Sequence, residues 1–273
     1  MAIELAGRPI AITGASSGIG LATALACAHA GMPVTLAARR EDRLTQAVDQ
    51  IRAAGGRAIA VRADVDNPDD CRALIERTIS EFGSIYAVFA NAGYGAFMPI
   101  STTPDEDLRA IFETNLWGTL NTIRPALEHM QQAAPPNRGH ILICSSCLSK
   151  FALPFSAPYS ATKAAQDHFG RSLRIELHPK GIHVSTVHPV GTITELFDKA
   201  KERSRVKREI GHSPRLLMQP PERVANAIVR CLRRPRSEVW TSAITRLAFA
   251  ASIAAPGVRD WAARRVFLRK LET

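Results

Sequence analysis

The chain has 273 residues, of which 46% are apolar and 22% charged, a balance that excludes global disorder and provides for a sizeable core. No run nears the roughly 20 apolar residues that cross a bilayer, MAIELAGRPIAITG lacks the pattern of a secretory leader, and five scattered Cys fit reduced cytoplasmic thiols better than a disulfide framework. The net charge of +10 is uneven: residues 199–273 hold 18 Lys and Arg against 6 Asp and Glu, whereas residues 1–198 hold 17 against 19.

Short β-branched runs alternate with helical stretches along the chain. A strand is predicted at 9–13, a helix at 18–30, a strand at 33–38, a helix at 41–54 and a strand at 57–61. Helix 68–82 opens with Asn67-Pro68-Asp69-Asp70, a cap followed by Pro and acids. Strand 85–90 follows, then a long helix 104–131, read as opening the same way at Thr103-Pro104-Asp105-Glu106. Strand 139–144, helix 157–178, strand 182–187, helix 221–233 and strand 237–241 complete the series. Gly31, Gly55, Gly83 and Gly181 fall just past helices, where a left-handed residue is expected. Several strands are apolar on both faces, as buried parallel strands are. The alternation predicts a doubly wound parallel α/β sheet with helices on both faces, in one domain over 1–273. Residues 191–219 are polar and basic and are expected to cover the C-terminal strand edge. Residues 243–273 form an apolar and basic C-terminal extension.

Thr13-Gly14-Ala15-Ser16-Ser17-Gly18-Ile19-Gly20 joins the first strand to the first helix. Its glycines permit a tight turn, and the helix N-terminus beyond them favours an anion such as a pyrophosphate. At the end of the second strand an acidic residue would hold a ribose hydroxyl and repel a 2′-phosphate. The chain has Ala37-Ala38-Arg39-Arg40 there instead. Arg39 is read as the main 2′-phosphate contact and Arg40 as a second, which favours NADP(H) over NAD(H). Asp64-Val65 follows the third strand, where an adenine can lie. Asn91-Ala92-Gly93 follows the fourth, where small residues let the backbone pass the adenosine ribose.

Tyr159 and Lys163 are one helical turn apart on one face. A free phenol has a pKa of about 10, and a neighbouring ammonium is expected to lower it. Tyr159 could then exchange a proton with a carbonyl/alcohol pair. Ser145-Ser146 ends the fifth strand, on the same side of the sheet.

These pieces resemble the short-chain dehydrogenase/reductase family in its compact, one-Rossmann-domain form. TGASSGIG, NAG, Asn115 in NLWG, the Ser pair, YSATK and a Pro189…Thr194 element occur in the family's order over residues 9–194. The resemblance implies that Ser146 polarises the substrate oxygen and Tyr159 is the general acid/base. It implies that Lys163 binds the nicotinamide ribose and lowers the Tyr159 pKa, and that Asn115 holds a water linking Lys163 to solvent. Pro189, Thr192 and Thr194 would meet the nicotinamide end. Val190 stands where the family has glycine, which puts the backbone path there in question. The resemblance also implies a homodimer or homotetramer built on helices 104–131 and 157–178.

The function expected is NADP(H)-dependent interconversion of a carbonyl and an alcohol on a small substrate. The alternative is a catalytically silent protein of the same fold that senses cofactor or binds a partner. Phe97, Met98, Leu148, Phe151, Leu153, Phe155, Leu196 and Phe197 predict a hydrophobic crevice. No metal is expected: Cys144 and Cys147 form a C-x-x-C without a second ligand pair, and the His residues lack ligand spacing. His188 and Trp117 are assigned to packing. No helix-turn-helix or stacking module points to nucleic acid. The basic, apolar extension 243–273 is set against two readings: packing on the sheet or a partner subunit, or weak peripheral contact with an anionic membrane.

Overall fold

The structure is a computed structural model that describes residues 2–134, 138–151, 153–195 and 218–254, with Gly257, Asp260, Trp261, Arg264 and Arg265 beyond them. In chain order it runs β1 (Ile10–Thr13), α1 (Gly18–His29), β2 (Val34–Ala38), α2 (Glu41–Ala53), β3 (Ala58–Arg62), α3 (Pro68–Phe82) and β4 (Ala87–Ala90). Then come α4 (Asp105–Phe112), a π-helical turn (Glu113–Trp117), α5 (Gly118–Met130), β5 (Gly139–Cys144), a 3₁₀ turn (Cys147–Ser149) and α6 (Ala157–Leu177). The chain continues through a second 3₁₀ turn (His178–Lys180), β6 (Ile182–Val187), α7 (Pro221–Arg233), β7 (Glu238–Val239) and α8 (Ala243–Ala254).

The strands form one parallel sheet in the order β3-β2-β1-β4-β5-β6-β7. Period-two alternation divides each strand between two cores. Ile10, Ile12, Leu36, Phe89, Leu142 and Val187 face one side, with Ala24 and Cys27 of α1 and Val224 and Ile228 of α7. Ala11, Val88, Ile141, Ile143 and Val184 face the other, with residues of α3, α5 and α6. The strand order reverses direction between β1 and β4, so a crevice opens beyond their C-terminal ends.

The α3 cap forms as expected, with the Asn67 side chain accepting from the Asp69 N–H at 3.0 Å. The four glycines past helices all have left-handed φ, from 69° to 83°. Two details differ from the sequence reading. Thr103 does not cap α4; its hydroxyl donates to the Pro99 carbonyl at 2.6 Å, and Pro104 is the N-cap residue. The stretch 104–131 is not one regular helix but is interrupted by the π turn around Asn115. All five Cys are buried and unpaired by disulfides. Among the described residues no helix is long and apolar enough to cross a membrane.

Candidate active site

The β1–α1 loop depends on glycine where the chain passes closest to itself. Gly14 and Gly18 take φ of +66° and +57°, which other residues adopt only with strain. A Cβ on Gly20 would lie 2.6 Å from Asn91 Nδ2. Asn91 in turn fastens the end of β4 to the loop: its Nδ2 donates to the Thr13 carbonyl at 2.9 Å. Thr13 Oγ1 accepts from the N–H groups of Asn91 and Ala92 at 3.1 and 3.2 Å. Ser17, at the α1 N-cap, makes no side-chain capping bond. The first turn of α1 therefore keeps donors for an anion. Ile19 packs inward against the core.

Arg40 lies across this loop. Its guanidinium donates to Ser16 Oγ at 3.0 Å and Ser17 Oγ at 2.9 Å, and pairs with Glu195 at 2.9 Å. Glu195 also pairs with Arg43. Arg39 is the freer of the two: its side chain is 64% exposed and meets Asp64 at 3.6 Å. The Asp64 N–H is held by Asp70 at 2.8 Å, and Val65 is buried with its carbonyl accepting from Asn121. A glycine cradle, an open helix terminus and two arginines fit a phosphorylated dinucleotide. The Glu195 ion pairs were missed in the sequence, because a contact 155 residues away leaves no local pattern.

At the other end of the crevice the π turn builds the site. Such a wide turn inserts one extra residue into a helix. Here it sets Asn115 fully inside the protein. Asn115 Nδ2 donates to the Tyr94 carbonyl and to Thr162 Oγ1, both at 3.0 Å, and Oδ1 accepts from the Tyr94 N–H at 2.9 Å. Gln166 donates to the Asn115 carbonyl at 2.6 Å, locking the turn to α6. Gly93 sits against this group; a Cβ there would lie 2.8 Å from Asn115 Oδ1 and 3.6 Å from Lys163 Nζ. Lys163 is buried, and its ammonium donates to the Cys144 carbonyl at 2.8 Å and lies 5.5 Å from the Tyr159 ring centre. Ser145 Oγ donates to the Lys163 carbonyl at 2.9 Å, tying β5 to α6. Ser146 caps the 3₁₀ turn, its hydroxyl accepting from the Leu148 N–H at 3.1 Å.

The proton affinities depart from the simple expectation. Burial holds the Tyr159 phenol above its ordinary range, with the Ser146 hydroxyl pulling it the other way. Burial also pushes the Lys163 ammonium below its usual value. For Tyr159 the net direction is upward rather than the expected lowering, with desolvation the largest cause. Burial raises the Cys147 thiol to about 11 and pushes the Cys144 thiol up as well, which disfavours a thiolate in the C-x-x-C.

Beyond β6, the Pro189 carbonyl accepts from the Cys147 N–H at 3.1 Å. Val190 is accommodated, its carbonyl accepting from Thr192 Oγ1 at 2.7 Å and Gln219 Nε2 at 3.0 Å. Thr192 pairs with Gln219 in an isolated parallel bridge. Thr194 faces the phosphate loop; a Cβ on Gly18 would lie 3.0 Å from its methyl. Residues 196–217, most of the expected cover together with Leu196 and Phe197, lie outside the described residues. Phe155 has φ +63°, rare for a bulky residue, and its carbonyl accepts from the Met98 N–H at 2.8 Å. Phe151 packs on Phe249, with ring centres 4.9 Å apart. Trp117, assigned to packing, is instead 46% exposed.

Fold and crevice together define a nicotinamide-dependent oxidoreductase. The family model for short chain dehydrogenases matches residues 8–205. An uncharacterised oxidoreductase of Listeria innocua is 32% identical over 230 residues, covering 84% of this chain and 91% of that one. An 11-beta-hydroxysteroid dehydrogenase A of Arachis hypogaea is 39% identical over 200 residues, 72% of this chain and 56% of that one. A short chain dehydrogenase/reductase of Burkholderia phymatum, solved in complex with NAD, superposes with a TM-score of 0.81 at 25% identity, covering 94% of this chain and 96% of that one. The chain belongs to the short-chain dehydrogenase/reductase family and is an NAD(P)-dependent oxidoreductase acting on CH–OH or C=O groups.

Proposed function

We propose that the protein is an NADP(H)-dependent reductase of a small, hydrophobic carbonyl compound. The observation that carries this reading is the gathering of Ser146, Tyr159 and Lys163 at the C-terminal ends of β4 and β5, beside the open terminus of α1. Gly14, Ser16, Ser17, Gly18, Ile19 and Gly20 would hold the pyrophosphate end. Asp64, Val65, Asn91, Ala92 and Gly93 would flank the adenosine, and Pro189, Thr192 and Thr194 the nicotinamide end. When bound, the cofactor supplies the hydride.

The chain's own residues handle the proton. Tyr159, kept protonated by burial, donates to the substrate oxygen as negative charge develops there. Ser146 donates a hydrogen bond to the same oxygen. Lys163 holds the ribose and, through a water on the second lone pair of Asn115 Oδ1, returns a proton from solvent. Phe97, Met98, Leu148, Phe151, Leu153 and Phe155 give the substrate an apolar setting.

Cofactor choice rests on the exposed Arg39 and the Arg40 guanidinium over Ser16 and Ser17. NADPH should bind more tightly than NADH. Arg39→Asp should weaken NADPH about tenfold or more, the scale of one charge-assisted hydrogen bond, while improving NADH relative to it. Dissociation constants for both cofactors, wild type and variant, test this; equal wild-type affinities overturn it. The same reading includes a cytoplasmic location and a homodimer or a tetramer built from it; for residues 243–273 it holds both packing on the sheet or a partner subunit and weak contact with an anionic membrane.

A further inference from the structure

Next to Ser146 lies a buried polar cluster that the proposed chemistry does not use. His188 is fully buried and stacked on Trp240, ring centres 4.7 Å apart. Packing alone does not account for it, because both ring nitrogens are engaged. Nδ1 lies 3.1 Å from the Ser146 carbonyl and 3.3 Å from Ser149 Oγ. A carbonyl only accepts, so Nδ1 carries the proton. Nε2 lies 3.0 Å from Thr186 Oγ1 and 3.5 Å from Asp167 Oδ1. The other Asp167 oxygen accepts from Lys150 Nζ at 2.7 Å, and Lys150 also donates to Glu238 at 3.1 Å. Arg171 of α6 lies 3.1 Å from Asp167 and 3.5 Å from Glu238, and Arg246 of α8 lies 3.7 Å from Glu238.

Asp167, His188 and Glu238 bring ligand atoms within 4.8 Å of one another, a spacing that could suit a metal. The Lys150 ammonium already bridges the two carboxylates, so the charge a cation would supply is present. What the cluster holds is the 3₁₀ turn Cys147–Ser149. Ser146 enters the turn and Lys150 leaves it. His188 grips the first, Asp167 and Glu238 grip the second, and the Pro189 carbonyl holds the Cys147 N–H between them.

We propose that His188 and Asp167 are positioning residues that fix the Ser146 hydroxyl by clamping this turn at both ends against α6, β6 and β7. Neither touches the reacting atoms; both act through Ser146, so the proposal rests on the contact of Ser146 with the substrate oxygen given above. Precise placement of such a donor depends on the shell that supports it.

The test is a double-mutant cycle on the full chain, with 9,10-phenanthrenequinone as the carbonyl probe and NADPH as reductant. His188→Phe keeps a ring against Trp240 and removes both nitrogens. It should lower kcat by up to about 100-fold, the cost of a small misplacement, with NADPH affinity unchanged. His188→Asn, whose amide nitrogen can replace Nδ1, should recover most of the loss. In a Ser146→Ala background His188→Phe should cost little more; a full second loss there overturns the proposal. A readout independent of turnover is hydrogen exchange at the Leu148 amide. It should rise at least about tenfold in His188→Phe and in Asp167→Asn while β5 amides hold, as local opening allows; unchanged exchange overturns the clamp. A wild-type protein that reduces no carbonyl, with exchange at Leu148 still rising in the variants, supports the clamp and counts against the function proposed above.

Discussion

At Tyr159 burial and proton chemistry meet in one hydroxyl. Desolvation raises its proton affinity, so the phenol stays protonated through the neutral range, ready to act as an acid. The sign of the pH dependence follows. Carbonyl reduction consumes that proton and should hold steady from mildly acid to neutral pH, falling only on the alkaline side. Alcohol oxidation needs the phenolate and should rise as pH increases. Profiles of kcat/KM in both directions check this; oxidation that is faster in acid would reject Tyr159 as the proton carrier. Tyr159→Phe should cut turnover about 10²–10⁴-fold while leaving NADPH binding nearly intact, since only one hydroxyl is lost. TGASSGIG, NAG and YSATK were legible because they are local patterns. Their partners were not. Gln166 on the Asn115 carbonyl and Glu195 on Arg40 are contacts across the fold, and nothing in the neighbouring sequence announces them.

The elements were more legible than their junctions. Among the described residues the seven strands lie within a residue or two of their expected bounds, and β1, β2, β4 and β5 are near-continuous apolar runs, as a doubly covered parallel sheet requires. The π turn at Glu113–Trp117 has no such signature; it depends on Gln166 and Thr119 reaching the Asn115 carbonyl from their own turns. Helix α6 carries Tyr159 and Lys163, and its distance from the sheet is set by a missing side chain. A Cβ on Gly170 would collide with the Thr186 methyl and lie 3.4 Å from Ile143 Cδ1. Thr186 cannot turn aside cheaply, since its hydroxyl is held between Asp167 Oδ1 at 3.2 Å and His188 Nε2 at 3.0 Å. Gly170→Ala should therefore push α6 off the sheet, costing about 1–3 kcal/mol for the overpacking. The same shift moves Tyr159 away from Ser146, so kcat should fall as well. Urea unfolding and turnover measured on one preparation test the pair. A variant as stable and as active as wild type would mean that the helix does not set this spacing.

For the whole molecule, the surface carries large apolar side chains where a lone subunit has no use for them. Ile175 is 76% exposed and Phe169 43% exposed on α6, and Trp117, 46% exposed, lies just before α5. Helix α6 and the π turn before α5 therefore turn apolar residues to solvent. Single exposed apolar residues are ordinary, but a set on α6, which carries Tyr159 and Lys163, and on the turn before α5 favours burial against a second copy. Helix α8 is a separate case. Phe249 packs toward Trp240 and Phe151, while Ile244, Leu247 and Ile253 stay 51–83% exposed. Part of the expected packing is thus present, and an outward apolar face remains. The two surfaces can be distinguished by mutation. A twofold interface on α5 and α6 uses each side chain twice, so Phe169→Glu combined with Ile175→Glu places like charges in one symmetric contact. Light scattering at micromolar concentration should give a dimer or tetramer for wild type and a particle near the chain mass of 29.7 kDa for the double variant. Ile244→Glu on α8 should leave the mass unchanged. A wild type that is already monomeric, or a double variant that keeps its mass, would assign these side chains to no interface between copies.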